Sequence, residues 1–228
     1  MLLPRHCAVC RSVGAPLCPT CVERLSPPPV TSIRGYMDTV ALFSYGGVGR
    51  DVVAAIKFAN HRDAVGVLGA MLAGAIDRRL DLVTWIPAHR ANRRTRGYDQ
   101  GALLAKATAR SLGVPAVRLL RRSVGQGGMV RRHRGAPSGQ TGADRVARAD
   151  IAFLATPTFD RLLATWPAGR PLCIAVVDDV RTTGASLRAA GRAMTRSAFG
   201  CRGAGAGSMV VELVAATVAA TPAPGGRV

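Results

Sequence analysis

The chain has 228 residues and a formal net charge of +18 at pH 7, with 31 lysines and arginines against 13 acids. Because 48% of the residues are hydrophobic, the composition excludes a disordered chain and predicts one packed α/β core with room for a small extra module. No apolar run is long enough to span a membrane, so membrane insertion is also excluded. The basic excess favours polyanionic partners, although a codon bias towards arginine accounts for part of it.

Four cysteines stand near the start of the chain: Cys7, Cys10, Cys18 and Cys21. Each C-x-x-C pair makes a tight turn with two thiolates, and two such turns complete the tetrahedral ligand set that zinc prefers. The opening residues lack a secretory signal, so we expect a cytoplasmic protein whose cysteines stay reduced. A redox pair or a chance cluster is the alternative, but neither pair follows a strand as redox motifs do. We therefore predict a structural zinc module over residues 1–25.

Three prolines at positions 27–29 predict a stiff linker over residues 26–30. Beyond them, apolar runs alternate with helical patterns, which predicts an α/β domain over residues 31–220 with a mostly parallel sheet flanked by helices. A disordered tail is expected over residues 221–228. The predicted strands are 39–45, 82–87, 115–120, 151–155, 171–177 and 208–218, and the predicted helices are 49–59, 63–80, 98–113 and 184–194.

A segment rich in arginine and glycine, residues 121–150, contains almost no large apolar side chain. Long segments without core-forming residues are usually functional loops. We therefore expect a mobile loop here.

Residues 176–186 read VVDDVRTTGAS, an apolar run that ends in Asp178 and Asp179 and then turns into a helix. Ligands bind beyond the carboxyl ends of parallel strands, and the free N–H groups and dipole of a helix start attract an anion. Gly184 allows close backbone approach, and neighbouring hydroxyls can donate to phosphate oxygens. Since the acids can accept from sugar hydroxyls, this turn predicts a sugar-phosphate site.

Two other interpretations of this turn stay open. Asp179 could cap the loop backbone with no ligand bound. Successive strand residues also point to opposite faces, so one acid could be structural. Neither a Walker loop nor a Rossmann glycine pattern is present.

The segment 176–186 resembles the phosphoribosyl pyrophosphate (PRPP) motif of type I phosphoribosyltransferases. Three further features are similar to the ComF/GntX family: the four-cysteine module, WIPAHRANRRTRGYDQ at residues 85–100, and GQTGADRVARADIAF at residues 139–153. The resemblance implies a type I phosphoribosyltransferase-like fold, PRPP or a related ribose phosphate as ligand together with Mg2+, and a link to competence for DNA uptake or to nucleotide metabolism. Asp99 departs from the family pattern, which usually has asparagine there.

The resemblance also implies a set of site residues. The catalytic residues would be Asp178 and Asp179, facing the ribose hydroxyls. The 5′-phosphate would be bound by Thr182, Thr183, Gly184, Ala185 and Ser186. The pyrophosphate would be bound by Arg90, Arg94, Arg96 and Gly97, with Arg122 and Arg131 in a flexible lid over residues 121–134.

The sequence leaves two functions from different classes open. One is a phosphoribosyltransferase, whose acceptor no segment of the sequence announces. The other is a non-catalytic protein that binds single-stranded nucleic acid and retains the transferase fold. Ten aromatic residues supply a base-stacking platform poorly, which counts against the second.

Overall fold

A computed structural model describes residues 5–58, 61–123, 153–200 and 209–221. Arg131 and Cys201 lie outside these residues, as do most of the expected loop over residues 121–150 and residues 222–228 of the expected tail. In chain order the described elements are α1 (Pro19–Glu23), β1 (Asp38–Ser44), α2 (Gly47–Phe58), α3 (Arg62–Ala75), β2 (Leu82–Trp85), α4 (Arg90–Arg96), α5 (Gln100–Leu112), β3 (Leu120–Arg122), β4 (Phe153–Ala155), α6 (Pro157–Thr165), β5 (Leu172–Arg181), α7 (Ala185–Gly200) and β6 (Val211–Ala220).

A four-stranded parallel sheet forms the centre of the molecule, in the order β1-β6-β5-β2. Residues 115–117 extend it beyond β2, because the Val83 N–H donates to the Pro115 carbonyl and the Val117 N–H donates to the Val83 carbonyl, at 2.9 and 2.8 Å. The predicted fold class, a mostly parallel sheet flanked by helices with a cysteine-rich N-terminal module, is confirmed. No helix of the described residues could cross a membrane, since none is both long and apolar enough.

The sheet is buried on both faces, as expected when strands in parallel arrangement read as continuous apolar runs. On one face, Ala175 and Val177 of β5 belong to the apolar cluster that includes the buried sides of α2, α3 and α5. On the other face, Ile174 and Val176 belong to the cluster of α6 and α7. Alternate residues of β5 therefore serve opposite cores, which follows from the two-residue period of a strand.

Close helix packing brings α3 against α5. Gly69 makes this approach possible, because a Cβ built on it would lie 2.4 Å from the Cβ of Ala107 and 2.8 Å from the Thr108 nitrogen. A larger residue at position 69 would force the two helices apart.

The short helices α1 and α4 were not predicted, and several element ends differ from the predicted ones. Three further differences concern the strands and one longer helix. β4 does not join the main sheet; it pairs antiparallel with β3 in a separate two-stranded sheet. Helix α6 was not predicted, although its start carries an ordinary signal: Thr156 caps the helix and Pro157 occupies its first turn. β5 runs four residues beyond the predicted end and therefore contains both acids.

Candidate functional site

The carboxyl ends of β2 and β5 lie side by side at one edge of the sheet. Trp85 pairs with Val177, and the Ile86 N–H donates to the Val177 carbonyl at 2.9 Å. The turn before α4 and the turn before α7 therefore begin from neighbouring points. This pairing brings the predicted pyrophosphate segment and the predicted phosphate turn to the same edge.

The side chains of Asp178 and Asp179 lie on opposite faces of β5. The ladder to β6 stays regular through them, since Asp178 pairs with Thr217 and Val180 with Ala219. Asp179 contacts α2 on one face, whereas the charge of Asp178 acts on Tyr36 on the other. The two acids therefore point to opposite faces, which is one of the interpretations that the sequence left open. Their carboxylates lie in different surroundings.

Asp178 is half-buried and carries a perturbed carboxyl group. Burial, helped by the neighbouring charge of Asp179, raises the pKa of Asp178 to about 8. The Asp179 N–H, which donates to Oδ1 of Asp178 at 2.9 Å, and the positive charges of Lys57 and Arg122 act in the opposite direction. Burial and then Asp178 also raise the pKa of Tyr36, whose hydroxyl donates to the Leu187 carbonyl at 2.7 Å.

Asp179 forms an ion pair that was not predicted from the sequence. Its Oδ1 lies 2.9 Å from the Nζ of Lys57, and the two side chains are only 17% and 19% exposed. Lys57 stands near the end of α2, outside every motif quoted above. The one sequence signal was compositional: Lys57 and Lys106 are the only lysines among the 31 basic residues.

The turn after the two acids combines a left-handed glycine, two exposed hydroxyls and the start of a helix. Gly184 has a φ of +71°, a left-handed backbone conformation that residues other than glycine rarely adopt. Thr182 and Thr183 are exposed, and the Ala185 N–H at the start of α7 donates to the Thr183 hydroxyl at 3.4 Å. The first turn of α7, which includes the half-buried Ser186, contains no acid.

Arg188 is a second residue that was not predicted from the sequence. Its Nη1 donates to the Thr183 carbonyl at 2.7 Å and would lie 3.3 Å from a Cβ placed on Gly184. The guanidinium therefore adds a positive charge beside the glycine turn. Arg188 stands five residues after Thr183, a spacing that helical side-chain pairing does not mark, so the sequence carried no signal for this contact.

The residues predicted for pyrophosphate lie on or near α4. Arg90 and Arg94 are exposed on this surface helix, and Gly97 ends it with a φ of +76°. Arg96 stacks on the ring of Phe58, with its Cζ 4.9 Å from the ring centroid. These guanidinium groups stand beside the carboxyl edge, where an anion could reach them.

Arg122, predicted as part of a lid, is instead held in β3. Its Nε donates to the Pro87 carbonyl at 2.8 Å, and its guanidinium lies over the ring of Phe153 at 5.1 Å. Burial lowers the pKa of Arg122, while the charges of Asp178 and Asp99 oppose that shift. Arg122 is therefore anchored at the edge of the site.

Asp99, the departure from the family pattern, has a structural explanation. Its Oδ1 accepts from the Ala102 N–H at the start of α5, and its Oδ2 accepts from the Ala88 N–H, both at 3.3 Å. One carboxylate thus caps α5 and ties it to the turn that follows β2. Gly101 completes this close approach, because a Cβ there would lie 2.9 Å from the Ile86 carbonyl oxygen.

The four predicted zinc ligands converge at one point. The sulfurs of Cys7, Cys10, Cys18 and Cys21 all lie within 4.8 Å of one another, and those of Cys10 and Cys18 are 3.6 Å apart. Four sulfurs about 2.3 Å from one zinc ion would stand about 3.8 Å apart, so the cluster fits a tetrahedral site. Since all four ligands are protein sulfurs, the donor set is that of a closed, structural site.

The thiols differ in their surroundings. Burial opposes ionisation of Cys7, but N–H groups led by that of Cys18, 3.5 Å from its Sγ, lower its pKa to about 6. Burial and the neighbouring sulfurs raise the pKa of Cys21 to about 12. Cys173 stands apart at the opposite end of β5, where its thiol donates to Glu212 at 3.2 Å.

A basic groove lies between the N-terminal module and the pair α3–α5. It has a volume of about 350 Å³, a small-residue floor that includes Gly66 and Ala107, and one acid, Asp63, which pairs with Arg5 at 4.0 Å. Four basic side chains against one acid give the lining a net charge of +3. The basic residues are Arg5, Arg62, Lys106 and Arg110.

Comparisons with known proteins give distant likenesses only. No protein-family model matches the chain, and no curated protein matches it. Two similar solved structures are one described as the allosteric regulatory enzyme of purine biosynthesis and one of glutamine phosphoribosylpyrophosphate (PRPP) amidotransferase from B. subtilis complexed with ADP and GMP. Each aligns with a TM-score of 0.35 and 19% identity over 67% of this chain. The chain thus spans about a quarter of the length of these structures, 26% in each case.

Proposed function

We propose that this chain is a phosphoribosyltransferase-like protein of the ComF/GntX type that binds PRPP or a related ribose phosphate. The observation that carries the proposal is the meeting of paired acids and a glycine turn at the carboxyl edge shared by β2 and β5. Carboxylates accept hydrogen bonds from sugar hydroxyls, and the start of α7 attracts a phosphate. A site for bare phosphate would not favour two acids beside it, because like charges repel.

The proposed roles follow from the positions of the side chains. Thr182, Thr183, Gly184, Ala185 and Ser186 bind the 5′-phosphate, with the charge of Arg188 beside them. Asp178 and Asp179 hold the ribose hydroxyls, and the arginines of α4 with Arg122 attract the pyrophosphate. Arg131, which lies outside the described residues, keeps its proposed place in the lid.

The proposed reaction is loss of pyrophosphate from the anomeric carbon through an oxocarbenium-like state, with the acceptor attacking that carbon. Asp179, which faces Lys57, favours the positive charge that develops on the ribose, and the arginines favour the departing pyrophosphate. Mg2+, bound together with PRPP, would supply further charge stabilisation on the leaving group. Zinc held by the four cysteines would serve the fold alone.

The wider role that we propose rests on the resemblance to the ComF/GntX family. It is a cytoplasmic function linked to competence and DNA uptake or to nucleotide metabolism. The zinc module over residues 1–25, the linker over residues 26–30 and the transferase-like domain over residues 31–220 are part of the same proposal.

Calorimetry with ribose 5-phosphate and with Mg-PRPP tests the proposed ligand. We expect binding by the wild-type chain and a loss of at least about tenfold in affinity for Asp179→Ala, because a hydrogen bond to a charged partner is worth roughly one such factor. Asp51→Ala, at an exposed position of α2, is the control and should bind like the wild type. Wild-type chain that releases no heat with either ligand and shows no competition with a labelled analogue would remove the proposal.

The basic groove favours a second candidate function, the binding of single-stranded nucleic acid. A groove lined by four cations could hold a phosphodiester backbone without reading its sequence. Arg62 also lies over the ring of Tyr98, with its Cζ 5.0 Å from the centroid, so one rim of the groove is held in place.

Salt dependence tests this second function. If the four basic side chains contact phosphates, log affinity for a labelled DNA strand should fall with log salt at a slope of about −2 to −3. Charge reversal at Lys106 and Arg110 should flatten that slope, whereas reversal of Arg192, exposed on α7, should leave it unchanged. A flat response of the wild type to salt would rule out backbone contact in the groove.

A further inference from the structure

Lys57 contacts the candidate site from a helix that no motif includes. Its ammonium lies 2.9 Å from Oδ1 of Asp179, and both side chains are less than one-fifth exposed. Such a pair is screened by salt less than an exposed one, so the contact is a stable feature of the site.

The backbone that carries Lys57 is also anchored at the site. The Tyr98 hydroxyl donates to the Ile56 carbonyl at 2.9 Å, next to Lys57, and Tyr98 comes directly before the Asp99 cap. The last turn of α2 is therefore tied to the segment that follows α4. This tie restrains the backbone that carries Lys57.

The choice of lysine at this position has a chemical consequence. An ammonium group is a compact point charge that can satisfy one carboxylate oxygen, whereas the planar fork of arginine pairs with both oxygens at once. The chain has arginine at 29 of its 31 basic positions and lysine at only two, Lys57 and Lys106. At Asp179 the ammonium contacts Oδ1, which leaves Oδ2 available to another donor.

Building on the proposed ribose-phosphate function, we propose that Lys57 is a positioning residue of that site. It holds one oxygen of Asp179 and so presents the other oxygen to a ribose hydroxyl. Asp178 is the neighbouring residue of β5, and the positive charge of Arg122 acts on it. The negative charge of Asp99 acts in turn on Arg122. A carboxylate whose first oxygen is held by an ammonium group keeps its second oxygen as an acceptor.

Three variants and two ligands separate this role from a structural one. Lys57→Met should weaken ribose 5-phosphate binding by about tenfold, the factor expected when a charged hydrogen-bond partner loses its orientation. Lys57→Arg should also weaken it several-fold, although the charge is kept, because the guanidinium fork would occupy both oxygens of Asp179. Inorganic phosphate, which needs only the glycine turn, should bind Lys57→Arg like the wild type and should lose much less affinity than ribose 5-phosphate in Lys57→Met, where one positive charge near the turn is removed. Arg50→Met, at an exposed position of the same helix, is the control.

Amine labelling of the wild-type chain gives a second readout that needs no variant. Ribose 5-phosphate should slow reductive methylation of Lys57 several-fold and leave Lys106, exposed on α5, unchanged. Mass spectrometry can follow both sites in one experiment, since the chain has no other lysine. Equal slowing at both lysines, or at neither, would contradict the inference.

The outcomes distinguish the inference from the function on which it rests. Wild-type chain that binds neither ribose phosphate would overturn both. Wild-type binding with Lys57→Arg as tight as Arg50→Met would show that charge alone suffices and would overturn the single-oxygen role while the function stands. Parallel loss of phosphate and ribose 5-phosphate in Lys57→Met would indicate a collapsed edge and would also count against the role.

Discussion

Removal of zinc is expected to lower the melting temperature of the whole chain by roughly 10 °C or more, and Cys21→Ser should have the same effect. Structural zinc sites contribute several kcal/mol of folding free energy, and each kcal/mol moves the melting temperature of a chain of this size by about 2–4 °C. The effect should not stay local. Cys7, Ala8, Leu17 and Cys21 are buried in the same apolar cluster as α2 and α3, so loss of the cysteine site opens that core.

The measurement is zinc content by mass spectrometry under native conditions, with thermal unfolding before and after chelation. One zinc ion per chain and a single, chelator-sensitive transition are the expected results. Cys173→Ser is the matched control, because Cys173 is half-buried and is not one of the four cysteines that converge. A purified chain without metal whose unfolding ignores the chelator would contradict the zinc module.

Gly184→Val should reduce affinity for both inorganic phosphate and ribose 5-phosphate by more than about tenfold. Its φ of +71° is costly for any side chain and worse for a β-branched one, by roughly 1–2 kcal/mol. The added atoms would also meet Nη1 of Arg188 at 3.3 Å and the side chain of Ile33 at 3.6 Å. The turn would have to move, and its N–H groups would no longer converge on one anion.

Gly169→Val provides the matched control for this substitution. Gly169 has a similar φ of +76°, but a Cβ there would meet nothing within 4 Å, and it lies in the turn before β5 rather than after it. Both variants therefore carry the same backbone cost in stability, and only Gly184→Val should lose the ligands. Equal phosphate affinity in the two variants would show that the glycine turn is not the anion site.

Local sequence patterns predicted most of the fold and indicated where the candidate site lies on it. Apolar runs marked the strands of the parallel sheet, and two acids before a hydroxyl-rich glycine turn marked its carboxyl edge. The spacing of the four cysteines predicted a cluster because two tight turns need no long-range information. These features depend on residues that are close together in the chain.

The features that were not predicted depend on contacts between segments that are distant in the chain. Lys57 reaches Asp179 only because α2 packs on the face of the sheet to which Asp179 belongs, and no sequence pattern around Lys57 indicates that face. The end of β5 was misplaced because acids normally follow a buried strand, whereas here β6 continues the ladder through both of them. β4 was assigned to the main sheet from its apolar residues, but three residues cannot specify a strand partner, and it pairs with β3 instead.

Asp99 shows how a resemblance can be refined by structure. The family pattern usually has asparagine at this position, so the sequence put an acid near the expected pyrophosphate. Its two oxygens are already engaged by the N–H groups of Ala88 and Ala102. The acid is therefore part of the framework that fixes the turn after β2, and its charge acts on the neighbouring Arg122.

The central claim is that a phosphorylated pentose binds where β5 turns into α7. A crystal soaked with Mg2+ and PRPP tests it most directly. We expect density for the 5′-phosphate within hydrogen-bonding distance of residues 182–186, and for the ribose hydroxyls beside Asp178 and Asp179. Density for the ligand only in the basic groove, or an empty turn at a concentration that saturates binding in solution, would contradict the claim.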